Sequence, residues 1–146
     1  MTGSGIARAE LDGGDPAESG AVRFLLVLTH GAGGSAGSPD LLAARDAALG
    51  LGGLVARVTQ PYRVKGARAP GSAVRQDAAW VEIVAALTGL VPGIPLVQGG
   101  RSNGARVACR TAAAVGARAV IALAFPLKPP GPTGQSRVNF SMGRLF

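Results

Sequence analysis

The stretch that decides the fold of this protein is "LVQGGRSNGARVACRTAA", residues 96–113, in which a G-x-S-x-G pattern stands between an apolar and an alanine-rich run. Ser102 occupies the centre of the pattern, with Gly100 and Gly104 two positions to either side. Where a strand turns sharply into a helix, small residues are needed at those positions because the two elements approach closely. We therefore interpret Ser102 as a candidate nucleophile on such an elbow; the alternative is a serine that only sits in a glycine turn or caps the helix.

Apolar runs of strand length alternate with helical segments around this pattern. The runs cover residues 21–29, 54–59, 94–98 and 119–125. Uninterrupted apolar runs suit strands that are buried on both faces of a parallel sheet. Helices are expected from Pro39 after an N-cap at Ser38, after Ser72, and after Gly104. The predicted fold class is therefore α/β, with a parallel sheet of about four strands flanked by helices.

Two of these helices carry an apolar face at helical spacing. In the helix after Ser72 the face consists of Val74, Ala78, Val81 and Ala85. In the helix after Gly104 it consists of Ala105, Ala108, Ala112 and Val115, with Arg106 and Arg110 opposite. Residues 60–72 are predicted to form a polar loop.

The composition is that of a globular protein with one core. The chain has 146 residues, of which 47% are hydrophobic and 16% charged, which suits one domain. Its single cysteine, Cys109, excludes an internal disulfide and a cysteine-based zinc cluster. The longest apolar stretch, 81–97, contains Glu82 and two prolines, so it is too interrupted to span a bilayer. We expect a cytoplasmic protein that needs no membrane, cofactor or metal.

The net charge of +7 is unevenly distributed along the chain. Residues 1–82 contain all eight carboxylates and eight basic residues, whereas residues 83–146 contain seven basic residues and no carboxylate. These basic residues are scattered and lack the clustering and base-reading neighbours of a nucleic-acid surface. Nucleic-acid binding is therefore an unfavoured hypothesis.

A glycine loop follows the first predicted strand. Its sequence, "HGAGG" at residues 30–34, lets the backbone fold toward a substrate, so that the N–H of Gly31 or Ala32 can serve as an oxyanion donor. The N–H of Asn103, at the start of a helix, is the second candidate donor. A dinucleotide fingerprint also fits the loop, but it needs an acid about 20 residues on, and residues 47–76 contain none.

Five segments together resemble one family. They are "LLVLTHGAGG" (25–34), "PY" (61–62), "DAAW" (77–80), "GGRSNGARVA" (99–108) and "LAFPLKPPG" (123–131). In this order they are similar to the α/β-hydrolase-like family of the testis-expressed protein 30 and NSL-complex subunit 3 type, which is related to the dienelactone hydrolases. The resemblance implies an α/β-hydrolase fold, with Ser102 as nucleophile and His30 at the start of the oxyanion loop. Asn103 stands where the family commonly has Met, and Lys128 where it tends to have His.

The catalytic triad of this fold follows the chain order Ser, acid, His. Residues 103–146 contain no Asp, Glu or His, and the lone His30 is interpreted as shaping the oxyanion loop rather than as a base. We therefore expect a partial α/β-hydrolase fold that lacks the C-terminal acid and histidine elements, as in a truncated or frame-shifted product. Residues 1–21 are expected to form a flexible arm, 22–127 the N-terminal portion of the domain, and 128–146 an irregular, non-native tail.

Two functions are weighed for this chain. The first is a serine hydrolase by descent that acts on an ester-like acyl bond of a small molecule, inactive or weakly active without an acid and a histidine after Ser102. The alternative is a catalytically dead hydrolase-like module for protein interaction. The strand at 119–125 would form an apolar sheet edge, so self-association through that edge is also expected.

Overall fold

The computed structural model describes residues 2–15 and 22–127. Within them a five-stranded sheet has the order β1-β3-β2-β4-β5. The strands are β1 (Arg8–Asp12), β2 (Phe24–Thr29), β3 (Gly53–Thr59), β4 (Leu96–Arg101) and β5 (Ala119–Leu123). The helices are α1 (Pro39–Gly50), α2 (Pro61–Val64), α3 (Ala73–Thr88) and α4 (Asn103–Val115).

The four strands expected from apolar runs are the four parallel strands of this sheet. β2 pairs in parallel with both β3 and β4, and β4 pairs in parallel with β5. Leu25, Leu26, Val27 and Leu28 of β2 are each at most 1% exposed, because helices cover both faces of the sheet. The predicted fold class is confirmed.

β1 corrects the expectation of a loose N-terminal arm. It runs antiparallel to β3, with Arg8 opposite Thr59 and Asp12 opposite Val55. The guanidinium of Arg57 lies 2.8 Å from a carboxylate oxygen of Glu10 and 3.2 Å from one of Asp12. Backbone pairing and these ion pairs hold β1 in the sheet. Its sequence could therefore not be recognised by the apolar pattern that marks the other strands. Residues 16–21 and 128–146, including Lys128, lie outside the described residues, so the predictions made for them stay predictions.

The apolar face assigned to α3 is wrong. Val74 is 81% exposed, and Ala78 and Ala85 are exposed as well. The helix begins at its predicted N-cap, Ser72, whose hydroxyl accepts a hydrogen bond from the N–H of Arg75 at 3.2 Å. It buries the larger side chains instead, because they remove more apolar surface from water. The buried residues are Gln76, Ala79, Trp80, Ile83, Val84 and Leu87.

The sheet separates two apolar layers. On one face α3 and α4 cover the larger cluster, in which Trp80 is fully buried. On the other face α1 contributes Leu41 and Ala48, and Ile121 of β5 packs against this smaller cluster. The apolar face predicted for α4 is confirmed at Ala105 and Ala108, which are buried. Ala112 and Val115, at the other end of that face, are only half-buried.

Two further features concern the edges and connections. The stretch expected to be a polar loop, 60–72, contains the short helix α2. Within the described part of the chain, β5 lies at one edge of the sheet and β1 at the other. No helix among those residues has the length and apolar character needed to cross a bilayer.

Candidate active site

Ser102 lies at the turn between β4 and α4 in a backbone conformation that non-glycine residues rarely adopt. Its φ is 53° and its ψ is −110°. The N–H of Ser102 donates to the carbonyl of Leu123 in the neighbouring strand at 2.9 Å, which holds the turn against β5. Its side chain makes no capping hydrogen bond to α4. The hydroxyl is therefore not engaged as a helix cap, the alternative weighed from the sequence.

Gly100 and Gly104 leave no room for a side chain. A Cβ built on Gly100 would lie 2.6 Å from the carbonyl carbon of Gly104 and 2.7 Å from the carbonyl oxygen of Thr29. A Cβ on Gly104 would lie 2.6 Å from the carbonyl oxygens of both Thr29 and His30. These neighbours are backbone atoms, so they cannot swing aside as a flexible side chain would. The tight strand-to-helix contact anticipated from the G-x-S-x-G pattern is present at both glycines.

The glycine loop after β2 lies against the serine. A Cβ built on Gly31 would be 3.5 Å from Cβ of Ser102 and 3.5 Å from the carbonyl oxygen of Arg101. Ala32 follows and is half-buried. Asn103 is the first residue of α4, where the helix itself makes no use of the backbone N–H. The structure thus brings Ser102, Asn103 and Gly31 together.

His30 is fully buried and both of its ring nitrogens are occupied. Nδ1 lies 2.8 Å from the carbonyl oxygen of Gly31 and therefore carries the hydrogen, while Nε2 accepts from the N–H of Gln60 at 3.0 Å. Burial lowers the pKa of His30, opposed by its hydrogen bond to Gly31 and reinforced by the charge of Arg63. Because Nε2 already accepts a hydrogen bond, the ring has no free lone pair to offer a serine hydroxyl.

Comparison with known proteins is consistent with this geometry. The family model described as "Alpha/beta hydrolase domain" matches residues 22–142. The chain belongs to this family. Among curated proteins no sequence matches significantly.

Solved structures share the α/β-hydrolase fold. An α/β serine hydrolase without lid from Xanthomonas campestris is 23% identical with a TM-score of 0.70, over 92% of this chain and 63% of that one. An α/β serine hydrolase homologue from Coxiella burnetii is 14% identical with a TM-score of 0.73, over 87% and 61%. A dienelactone hydrolase from Anabaena variabilis is 19% identical with a TM-score of 0.64, over 84% and 59%. The chain thus spans less than two thirds of the length of each.

The hydrolase domain contains a buried amide cluster behind the elbow that was not foreseen from the sequence. Gln76 Nε2 donates to Oε1 of Gln60 at 2.9 Å and to Oδ1 of Asn103 at 2.5 Å. Gln60 Nε2 donates in turn to Oγ1 of Thr29 at 3.2 Å. Gln60 and Gln76 are 2% and 6% exposed. The sequence signal that could have revealed this cluster is the position of Gln76, a polar residue on the same face of α3 as the large apolar residues Trp80, Ile83 and Leu87.

Arginines surround the glycine loop and the serine. Arg63 Nε donates to the carbonyl of Gly34 at 3.0 Å. A Cβ on Gly33 would lie 3.0 Å from Nη2 of Arg68, so that guanidinium rests against the loop. Arg101, beside the serine, forms an ion pair with Asp40 at 2.7 Å while remaining half exposed. The loop therefore has a positively charged rim.

Three further features bear on other chemistry: the possible metal ligands, the cysteine thiol and a buried tyrosine hydroxyl. Among residues 2–15 and 22–127 no group of three or more His, Cys, Asp or Glu could hold a metal ion. Cys109 is half-buried, and burial raises the pKa of its thiol against the opposing charge of Arg110. The hydroxyl of Tyr62 is buried without a hydrogen-bond partner in the described part of the chain.

Proposed function

We propose that this protein is a serine hydrolase of small-molecule ester-like acyl bonds, with Ser102 as its nucleophile. The observation that carries the proposal is the positive φ of Ser102, a non-glycine residue, between two glycines that a Cβ would disrupt. Strained serines of this kind are retained where the strain presents the hydroxyl to a substrate. Membership of the hydrolase family supports the same chemistry.

The proposed reaction proceeds through an acyl-enzyme. Oγ of Ser102 attacks the carbonyl carbon, and the carbonyl oxygen takes the negative charge. The N–H groups of Asn103 and of Gly31 or Ala32 stabilise that charge, helped by the positive end of the α4 dipole. Collapse of the intermediate breaks the bond to the alcohol, which leaves with the proton of the serine, and water then hydrolyses the acyl-serine.

The rate is limited because residues 103–146 supply no proton acceptor for the hydroxyl of Ser102. Residues 103–146 contain no Asp, Glu or His, and both nitrogens of His30 are engaged. An unassisted serine hydroxyl is a weak nucleophile at neutral pH. An oxyanion hole together with substrate binding still accelerates acyl transfer by about 10³–10⁴-fold over water, so weak activity is expected.

The finer assignment follows the sequence resemblance. On the five segments quoted above, we propose that the chain belongs to the testis-expressed protein 30 and NSL-complex subunit 3 type. We also propose that it is a cytoplasmic protein.

A second function, a protein-interaction module, is favoured by one observation. The outer edge of β5 is unpaired within the described residues, and the strand is apolar and only partly covered. Self-association through β5 belongs to this second proposal.

Labelling with a fluorophosphonate probe tests the first function. We expect slow covalent labelling of the whole chain that is lost in Ser102→Ala. Ser4→Ala is the matched control, because the hydrogen bonds of Ser4 with Thr2 and Lys65 use only its backbone atoms and it lies in the N-terminal segment, away from α3 and the elbow in the chain. Labelling that persists in Ser102→Ala, or none in the wild type at millimolar probe, would refute the nucleophile and leave the interaction module.

A further inference from the structure

We infer that Gln76 is a positioning residue that holds both backbone segments of the oxyanion site through a pair of glutamines. The catalytic part of this inference rests on the proposed function. Gln76 lies in the first turn of α3, and its amide reaches Asn103 at the first residue of α4. Because Asn103 directly follows Ser102, this bond sets where the chain leaves the elbow.

The orientation of the Gln76 amide is fixed by a group that can only donate. Nη2 of Arg110 donates to Oε1 of Gln76 at 3.2 Å, and Arg110 is itself held by both carboxylate oxygens of Asp77. A guanidinium has no acceptor, so the oxygen of Gln76 must face Arg110. Nε2 therefore faces the other way, and its two hydrogens go to Gln60 and Asn103.

The second glutamine connects the cluster to the glycine loop. The backbone N–H of Gln60 donates to Nε2 of His30, and Nδ1 of His30 donates to the carbonyl of Gly31. Gln76 thus reaches Asn103 directly and Gly31 by way of Gln60 and His30. Hydrogen bonds within such buried clusters reinforce one another and specify one arrangement. The Gln60–Gln76 bond, at 2.9 Å, therefore links the two segments whose N–H groups must converge on one oxygen.

A buried glutamine can also be purely structural, and this chain contains such a residue for comparison. Nε2 of Gln98 donates to the carbonyl of Ala108 and to Oγ1 of Thr111, and its Oε1 accepts from Nε1 of Trp80. Gln98 makes the same number of bonds as Gln76 and is fully buried. None of its bonds goes to Asn103 or to the loop of Gly31, so Gln98→Glu is a matched control for Gln76→Glu.

The first experiment compares the phosphonylation kinetics of the whole chain and its variants. In Gln76→Glu the carboxylate still accepts from Arg110 but meets the oxygens of Gln60 and Asn103 without a hydrogen to donate. We expect the maximal rate of labelling to fall about 10-fold, less than the loss of an oxyanion donor itself, with apparent probe affinity changed less than about twofold. If Gln76→Glu folds poorly, Asn103→Ala, a substitution at a half-buried site, should likewise lower the maximal labelling rate about 10-fold with apparent probe affinity changed less than about twofold. A Gln98→Glu variant that loses as much rate as Gln76→Glu would overturn the positioning role.

A second measurement does not depend on a reactive serine. In ¹H–¹⁵N spectra, Gln76→Glu should shift the backbone amide signals of both Asn103 and Gly31, whereas Gln98→Glu should leave them in place. If the wild type is unlabelled but these two signals move together, the proposed hydrolase activity fails and the positioning role stands. If the Gly31 signal stays in place in Gln76→Glu, the coupling of the two segments is refuted whatever the labelling shows.

Discussion

Replacing Gly104 with alanine is expected to destabilise the domain through a single methyl group. That Cβ would lie 2.6 Å from two backbone carbonyl oxygens, about 0.8 Å short of ordinary van der Waals contact. β2 is buried on both sides and cannot yield, so the start of α4 must move outward. Overpacking of this kind costs about 1–3 kcal/mol, and the better helix propensity of alanine offsets about 1 kcal/mol. Since rigid backbone favours the upper end of the range, we expect a net loss of about 2 kcal/mol, or about 5–10 °C in Tm.

Thermal unfolding followed by circular dichroism measures this loss. Gly50→Ala is the matched control, because Gly50 ends α1 and a Cβ there would meet nothing within 4 Å. It should leave Tm unchanged or raise it slightly. If Gly104→Ala melts within about 1 °C of both the wild type and Gly50→Ala, the close approach of α4 to β2 is refuted, since a net loss of 2 kcal/mol would exceed that shift.

Two further predictions concern buried titratable groups. Burial lowers the pKa of His30 in the folded chain below its usual value of 6.5, so the unfolded chain binds more protons than the folded chain as pH falls below 6.5. Stability is then present above that pH and lost below it; the urea midpoint should fall between pH 7.5 and 5.5, and this dependence should weaken in His30→Asn. An equal dependence in that variant would exclude His30 as its origin. Tyr62→Phe should leave the free energy of unfolding unchanged or raise it by about 1 kcal/mol, because the hydroxyl is buried without a partner in the described residues. Burial raises the pKa of Tyr62 to about 12 from 10.0, so the wild type should lose more stability than Tyr62→Phe as pH rises above 10.0. A destabilised Tyr62→Phe would indicate a hydrogen bond to that hydroxyl.

Local sequence signals predicted much of this fold. The apolar runs located all four parallel strands, and Ser38 and Ser72 marked the starts of α1 and α3 because a helix start is a local feature. The elbow could also be anticipated, since its two glycines are required by the tight turn between consecutive elements. Each of these features is encoded within about ten residues of chain.

The features missed from the sequence depend on contacts between distant segments. β1 owes its place to pairing with β3 and to ion pairs of Glu10 and Asp12 with Arg57, more than 40 residues away. On α3 the predicted apolar stripe consists of alanine and valine, whereas the buried face of the helix contains Trp80 and Gln76. Gln76 is buried because Gln60, which precedes α2, and two residues of α4 satisfy its amide, which no local pattern reveals.

Within residues 2–15 and 22–127, β1 and β5 form the two edges of the sheet, and they differ in a way that bears on how copies of the chain could assemble. β1 carries charged side chains at every second position, Arg8, Glu10 and Asp12, and charged side chains on an edge discourage further strand pairing. β5 is short, apolar and without charge. When only one edge of a sheet is able to pair, the same edge of two copies must meet, and this contact has a two-fold axis. Association through β5 would therefore stop at a dimer. If both edges were able to pair, copies could add without limit and form a fibre.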